Sequence, residues 1–273
     1  MLSPYLPTYV LLVGCVCAFL WEGLWPRRAE TSGLGRRWLN NFTLTGIGLI
    51  TAHGCAALTP MATAWFAQHY QLGLLSNVDM GLTTAFLLTL LAYELMGYVI
   101  HMLFHNVPWL WRIHTVHHSD VELDVSTTYR HHPFEIAVTF VITLPVILLL
   151  SPPVLAVLLY QSIRSGMHVI AHSNLYIPKA INRWLVWFIV TPDFHRLHHC
   201  SERGFTNSNY GTILPWFDYL FGTATRRDFD EQETMEIGLE YARSPRDSRI
   251  DQMLLIPFRD SEKLRYESEE NPV

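Results

Sequence analysis

The chain has 273 residues, half of them hydrophobic and only 16% charged, with a net charge of −5 and a mean hydropathy of +0.17. That balance leaves too little polar surface for a soluble globule of this size and fits several membrane spans, and the scattered basic residues exclude a nucleic-acid-binding surface. The four cysteines, Cys15, Cys17, Cys55 and Cys200, have no disulfide-framework spacing and point to a reduced or membrane-embedded setting.

The first apolar run, Tyr5 to Trp25, is long enough to span a bilayer, with Trp21 and Trp25 placed as interface anchors and Glu22 expected at the headgroup level. It has no basic n-region and ends in Trp25-Pro26-Arg27-Arg28 rather than in small residues, so it is expected to remain as a span and not to be cleaved. A loop with Arg27, Arg28, Arg36 and Arg37 follows. Phe42 to Phe66, rich in Thr, Gly and Ala, predicts a second span suited to close packing, with His53 facing the bundle. After a connection that lacks Lys and Arg and carries His69 nearby, a third span is expected from Leu82 to Phe104. Phe134 to Leu150 and Val154 to Ala171, joined at Ser151-Pro152-Pro153, predict a membrane hairpin whose first arm is short enough to be re-entrant. Downstream, Trp184, Trp187 and Phe188 fit an interfacial segment, and Arg226 to Val273 reads as a charged tail of short helices and loops, fraying at Glu267 to Val273.

The expected fold class is therefore all-α and integral to the membrane, with about four transmembrane helices in two hairpins and a cytoplasmic helical cap. The expected parts are membrane spans and their loops over 1–105, cytoplasmic histidine-bearing segments over 106–133 and 173–225, a membrane hairpin over 134–172, and a cytoplasmic tail over 226–273. Excess Lys and Arg mark the cytoplasmic side; the first loop has four Arg and the second none. This orientation delivers every histidine cluster to the cytoplasmic face.

Those clusters are the chemical content of the sequence. His101/His105, His114/His117/His118, His168/His172 and His195/His198/His199 hold ten of the fourteen histidines at spacings of three and four, so on helices each cluster aims its imidazoles together. Imidazole suits Zn, Cu, Fe and Ni, and ten ligands exceed the needs of one ion, so two metals are expected. Structural zinc usually takes thiolates, and Cys200 beside His199 reads as a packed thiol. The carboxylates Asp120, Glu122, Asp124 and Asp193 lie near the clusters but outside their repeating positions, where they would fix imidazole tautomers and offset metal charge. His131 and His132, at the helix entry before Pro133, are expected in supporting or helix-capping roles, and Arg112 and Arg130 either pair with nearby carboxylates or contact a lipid headgroup. Nearly all-nitrogen ligation suits iron that cycles between oxidation states and activates O₂ against a C–H bond. A membrane zinc hydrolase and a metal-transporting or metal-storing protein are the alternatives. Transport sites belong near the bilayer midplane, whereas these clusters lie at helix ends.

Ordered pieces from Glu94 to Thr223 carry a family resemblance. They are Glu94-x-x-Gly97-Tyr98-x-x-His101-x-x-x-His105, Trp111-Arg112-x-His114-x-x-His117-His118-Ser119, Thr128-x-Arg130-x-His132-Pro133-x-Glu135, His168-x-x-x-His172-Ser173-Asn174, Thr191-Pro192-x-x-His195-x-x-His198-His199, Asn209-Tyr210-Gly211 and Trp216-Phe217-Asp218-x-Leu220-Phe221-Gly222-Thr223. At these positions the chain resembles the fatty acid hydroxylase/sterol desaturase superfamily of integral-membrane di-iron oxygenases. The resemblance implies that all ten histidines bind two iron ions, with zinc able to replace them in isolated protein, and that His132, Asp120, Glu135, Asn174 and Asp193 support the ligands. It implies O₂ as co-substrate and a membrane lipid such as a fatty acyl chain or sterol as substrate, hydroxylated or desaturated. With no cytochrome b5-like segment fused, electrons are expected from a separate donor: a cytochrome b5-like protein, a ferredoxin or a reductase.

Overall fold

The computed structural model describes residues 3, 5–29 and 34–259; the fraying expected at Glu267 to Val273 lies outside them. Among the described residues the chain is helical, with isolated β-bridges at Pro26–Leu175 and Cys200–Ile237 and no strand. Four helices are long and apolar enough to cross a membrane: α1 (Leu6–Leu24), α4 (Leu82–Asn106), α6 (Pro133–Leu150) and α7 (Val154–His172). Around them lie α2 (Leu34–Gly54), α3 (Pro60–His69), α5 (Pro108–His118), α8 (Lys179–Leu185) and α9 (Pro192–His198).

Proline sets where three of the helices around the histidines begin. A residue before proline is pushed out of the α region, and proline itself is well placed at the first helical position, where its missing N–H costs nothing. Val107, His132 and Thr191 are extended, and α5, α6 and α9 start at Pro108, Pro133 and Pro192. His132 Nδ1 caps α6 by accepting from Phe134 N at 3.1 Å, and Thr191 Oγ1 caps α9 by accepting from Phe194 N at 3.3 Å. Because only Val107 separates α4 from α5, the chain turns at once and brings the two histidine sets together.

The expected second span is not one helix. Pro60 forces Thr59 to φ −62°, ψ 149°, ending the helical path, and the Thr59 hydroxyl caps α3 by accepting from Ala62 N. The broken pair still runs from the histidine end to the opposite end. Near its start Arg37 bonds Asp120, and at its finish Gln68 Nε2 donates to Ser151 O at 2.6 Å. The following loop continues there, with Leu74 N and Leu75 N donating to the carbonyls of Leu149 and Leu150. His53, expected to face the bundle, is exposed, because α2 turns that face outward just before the break.

The hairpin arms α6 and α7 are joined at 151–153, with Ser151 left-handed at φ 50°. Both α3 and α4 pack against both arms. Parallel to α7 runs α1, and small residues let the two backbones approach: a Cβ on Gly14 would lie 3.9 Å from Gly166 Cα, and one on Gly166 3.2 Å from Val10 Cγ1. Glu22, expected among headgroups, is instead buried at the end of α1, accepting from Asn174 N at 2.9 Å and Val125 N at 3.3 Å. The stretch after Arg226 consists of short turns, as expected, but it lies against the body: Met253 and Ile256 join Leu44 and Val116 in one apolar cluster, and Arg112 donates to Pro257 O at 2.7 Å.

Candidate metal centre

Residues four apart on a helix differ by about 40° in direction, and residues three apart by about 60° in the opposite sense. The structure uses this difference. His114 and His118 join His101, His105 and His198 in one group, while His117 and His172 join His195 and His199 in a second. Within each group the ligand-capable atoms lie within 4.8 Å of one another. Each His-x-x-His-His stretch thus sends its outer pair to one group and its middle histidine to the other. The two groups therefore share both α5 and α9.

Hydrogen bonds on the far side of the rings set the tautomers. Nδ1 of His101 faces Tyr210 O at 2.9 Å, that of His198 faces Ser208 O at 2.7 Å, and that of His172 faces His168 O at 2.8 Å. A carbonyl can only accept, so each of these Nδ1 atoms carries the proton and each Nε2 turns a lone pair inward. His114 Nδ1 similarly meets Glu135 Oε1 at 2.8 Å, and His105 Nδ1 lies 3.3 Å from Asn207 Oδ1.

The inward atoms are left without protein partners. His105 Nε2, His198 Nε2 and both nitrogens of His118 and His199 are buried with no hydrogen bond. Nε2 atoms face one another at 3.0 Å between His172 and His195, 3.1 Å between His117 and His172, and 3.3 Å between His101 and His114. Each unsatisfied buried polar atom costs about 1–3 kcal/mol, and converging lone pairs cannot satisfy one another. Cations at the two foci remove both problems, so this donor set fits metal ions. Burial, and then the neighbouring imidazoles, hold His117, His118, His195, His198 and His199 well below the usual histidine pKa, which keeps their lone pairs free.

His168 stands outside the 4.8 Å sets, its ring centroid 4.5 Å from that of His172. His131, which the sequence placed at the margin, stacks on His117 with centroids 4.3 Å apart, and its Nδ1 lies 2.9 Å from Glu135 Oε1. Its partner His132 turns away to cap α6 and to meet Leu254 O at 3.3 Å.

Of the other supporting residues, only Glu135 reaches a ligand-group imidazole; the rest hold the segments that carry the rings. Asp120 Oδ2 accepts from Arg37 Nη1 and Asn41 Nδ2 at 2.8 Å and from Thr127 Oγ1 at 2.9 Å. Burial alone would raise the Asp120 pKa, but the Arg37 and Arg130 guanidinium groups carry it below the usual carboxylate value. Asp193 pairs with Arg27 at 3.3 Å and with Arg196, whose own pKa burial brings down to about 10. Asn174 joins the chain after α7 to Arg28, donating to Arg28 O and accepting from Arg28 N. Asp124 is ion-paired with Arg37 and accepts from Trp38 Nε1 at 2.8 Å. Cys200 is a fully buried thiol in an apolar cluster.

The carbonyls of Ser208 and Tyr210 are contributors that side-chain reasoning missed. Asn209 (φ 55°) donates to Phe194 O at 2.9 Å, and Asp218 accepts from Tyr210 N and Gly211 N, each at 2.8 Å. A Cβ at Gly211 would lie 2.7 Å from Leu214 O, so this turn requires glycine. Glu94 of α4 completes the clamp, accepting from Ile213 N, Leu214 N and the Tyr160 hydroxyl at 2.8–2.9 Å. The sequence signal for the clamp was Asn209-Tyr210-Gly211 and Asp218 themselves.

Below the histidines a cavity of about 190 Å³ opens between α4, α6 and α7. His101, His114, His117, His131 and His195 line one end, and Tyr93, Thr143 and Pro60 line the other. Met96, Ile100, Phe104 and Phe140 make much of its wall apolar, while Gln161, Arg164 and His168 give it one polar side on α7.

The model of the family described as fatty acid hydroxylase matches residues 86–223, half of the chain and the stretch that builds both histidine groups. Human (Homo sapiens) alkylglycerol monooxygenase is 31% identical over 131 residues, 46% of this chain and 27% of that protein. An ornithine lipid hydroxylase of Rhizobium tropici is 30% identical over 126 residues, 46% of this chain and 37% of that protein. A very-long-chain aldehyde decarbonylase of Oryza sativa subsp. japonica is 29% identical over 147 residues, 50% of this chain and 22% of that protein. The chain thus spans well under half the length of the curated relatives it matches. No solved structure matches it.

Proposed function

This chain belongs to the fatty acid hydroxylase family, and on that footing we propose that it is a membrane di-iron oxygenase that hydroxylates, or desaturates, a lipid at an unactivated carbon. The observation that carries the proposal is the meeting of two buried imidazole groups with a cavity among membrane-spanning helices. Relatives named for monooxygenase and hydroxylase activity on alkylglycerols and ornithine lipids support the lipid class.

In this reading His101, His105, His114, His118 and His198 hold one ion, and His117, His172, His195 and His199 hold the second with His168 beside them. Bound iron supplies O₂ binding and activation, drawing electrons from a separate donor. The protein does the remaining work. Tyr210, Ser208 and Glu135 fix the tautomers and ring directions of His101, His198 and His114. The apolar wall excludes water and holds one C–H bond toward the histidine end, and such positioning carries much of the rate advantage when one carbon must be chosen among many alike.

The histidine segments 106–133 and 173–225 form a cap on one side of the spans, and the cytoplasm is the proposed side. The four arginines of the first loop support that orientation, with Arg27 and Arg37 engaged at the histidine end.

Lipid profiling by mass spectrometry of cells with and without the protein tests the reading. A lipid that gains one oxygen or loses two hydrogens is expected with wild type and not with His117→Ala or His198→Ala. Turnover of a lipid by zinc-loaded protein under anaerobic conditions would overturn it in favour of hydrolysis.

A further inference from the structure

A guanidinium inside a membrane-spanning helix is costly unless it meets an anion or water, which makes such a residue a marker of function. Arg164 lies in the middle of α7 and lines the cavity. Among the described residues it has no hydrogen-bonding or ion-pairing partner for its side chain. Glu94, a carboxylate with which it interacts electrostatically, is already engaged by Tyr160, Ile213 N and Leu214 N. Gln161, one turn earlier on the same face, also lines the cavity. The other cations near the histidines are committed elsewhere. Arg130 is fully buried and donates to Val116 O, Asn41 and Ser119, and Arg112 donates to the carbonyls of Pro257 and Arg259.

We propose that Arg164, helped by Gln161, binds an anionic group of the lipid substrate, a carboxylate or a phosphate, inside the cavity. The proposal rests on the oxygenase reading and adds to it a substrate class. Arg164 stands four residues before His168, about 6 Å along the helix axis. A lipid held there presents carbons close to its anionic group to the histidine end. The substrate is therefore an acidic lipid oxidised near its charged end and not in mid-chain.

Binding of cis-parinaric acid and of its methyl ester to the full-length, metal-loaded protein in neutral detergent, followed by fluorescence, tests this without turnover. The acid is expected to bind about tenfold tighter than the ester to wild type, with the preference lost in Arg164→Gln and partly kept in Arg164→Lys. Displacement by lysophosphatidic acid in preference to unlabelled fatty acid identifies the group as phosphate, and the reverse order identifies carboxylate. Equal affinity of acid and ester for wild type, or an unchanged preference in Arg164→Gln of normal metal content, overturns the proposal. If Arg164→Gln loses its metal, the acid-to-ester ratios of wild type and Arg164→Lys decide. Failure of the oxygenase reading shows itself differently, as an intact acid preference in iron-loaded protein that consumes no O₂.

Discussion

The imidazole rings of His118 and His199 stack with centroids 4.4 Å apart and planes inclined by 19°, and each belongs to a different histidine group. The two groups therefore meet at this pair. Loss of either ring is expected to disturb both ions, whereas His105→Ala opens only the first group. Metal analysis of purified protein should find about two ions in wild type and fewer in His118→Ala than in His105→Ala, whose first group keeps four imidazoles, as many as the second group has. Full metal content in His118→Ala would refute this arrangement.

Stripping the metals should destabilise the fold and not merely silence it. The nitrogens of His105, His118, His198 and His199 that lack partners each cost about 1–3 kcal/mol once buried without a cation. Thermal unfolding in detergent, followed by intrinsic fluorescence, should shift to lower temperature after chelation and recover when ions are restored. An unchanged midpoint would mean that the groups bind no structural metal.

Asp120 is expected to matter for stability more than its distance from the rings suggests. Arg37 is only 4% exposed and Arg130 is fully buried, and both lean on its carboxylate. Asp120→Ala leaves these charges under-compensated, at a cost of about 3–5 kcal/mol by comparison with other broken buried pairs. Denaturation of the purified variant, or its failure to accumulate as a monodisperse species, measures the loss.

The close approach of α1 and α7 depends on hydrogen-sized side chains. A Cβ at position 166 already meets Val10 Cγ1 at 3.2 Å, so Gly166→Leu should force the helices apart and cost about 1–3 kcal/mol. Gly46→Leu, where a Cβ meets nothing within 4 Å, is the control expected to leave the unfolding midpoint unchanged.

Much of this was legible because the signals are periodic. Long apolar runs announced α1, α4, α6 and α7 within a few residues, and histidines at spacings of three and four announced a shared face. What stayed hidden depends on partners far along the chain or on backbone atoms. Ser208 O and Tyr210 O orient His198 and His101, yet a carbonyl has no sequence signature. His131 and His132 are neighbours in a histidine-rich stretch, and only the start of α6 at Pro133 decides that one faces the cluster and the other caps a helix. The break in the second crossing was written in Thr59-Pro60 but masked by the apolar composition around it.

That break has a consequence for selectivity. Past Pro60, α3 fills the space between α6 and α7 as far as the opposite end, while before it the same space is open and forms the cavity. Pro60 thus stands as a floor of protein beneath the cavity. The depth offered to a guest is fixed by where the helix restarts and is independent of bilayer thickness, so the protein carries its own ruler into any membrane it inhabits.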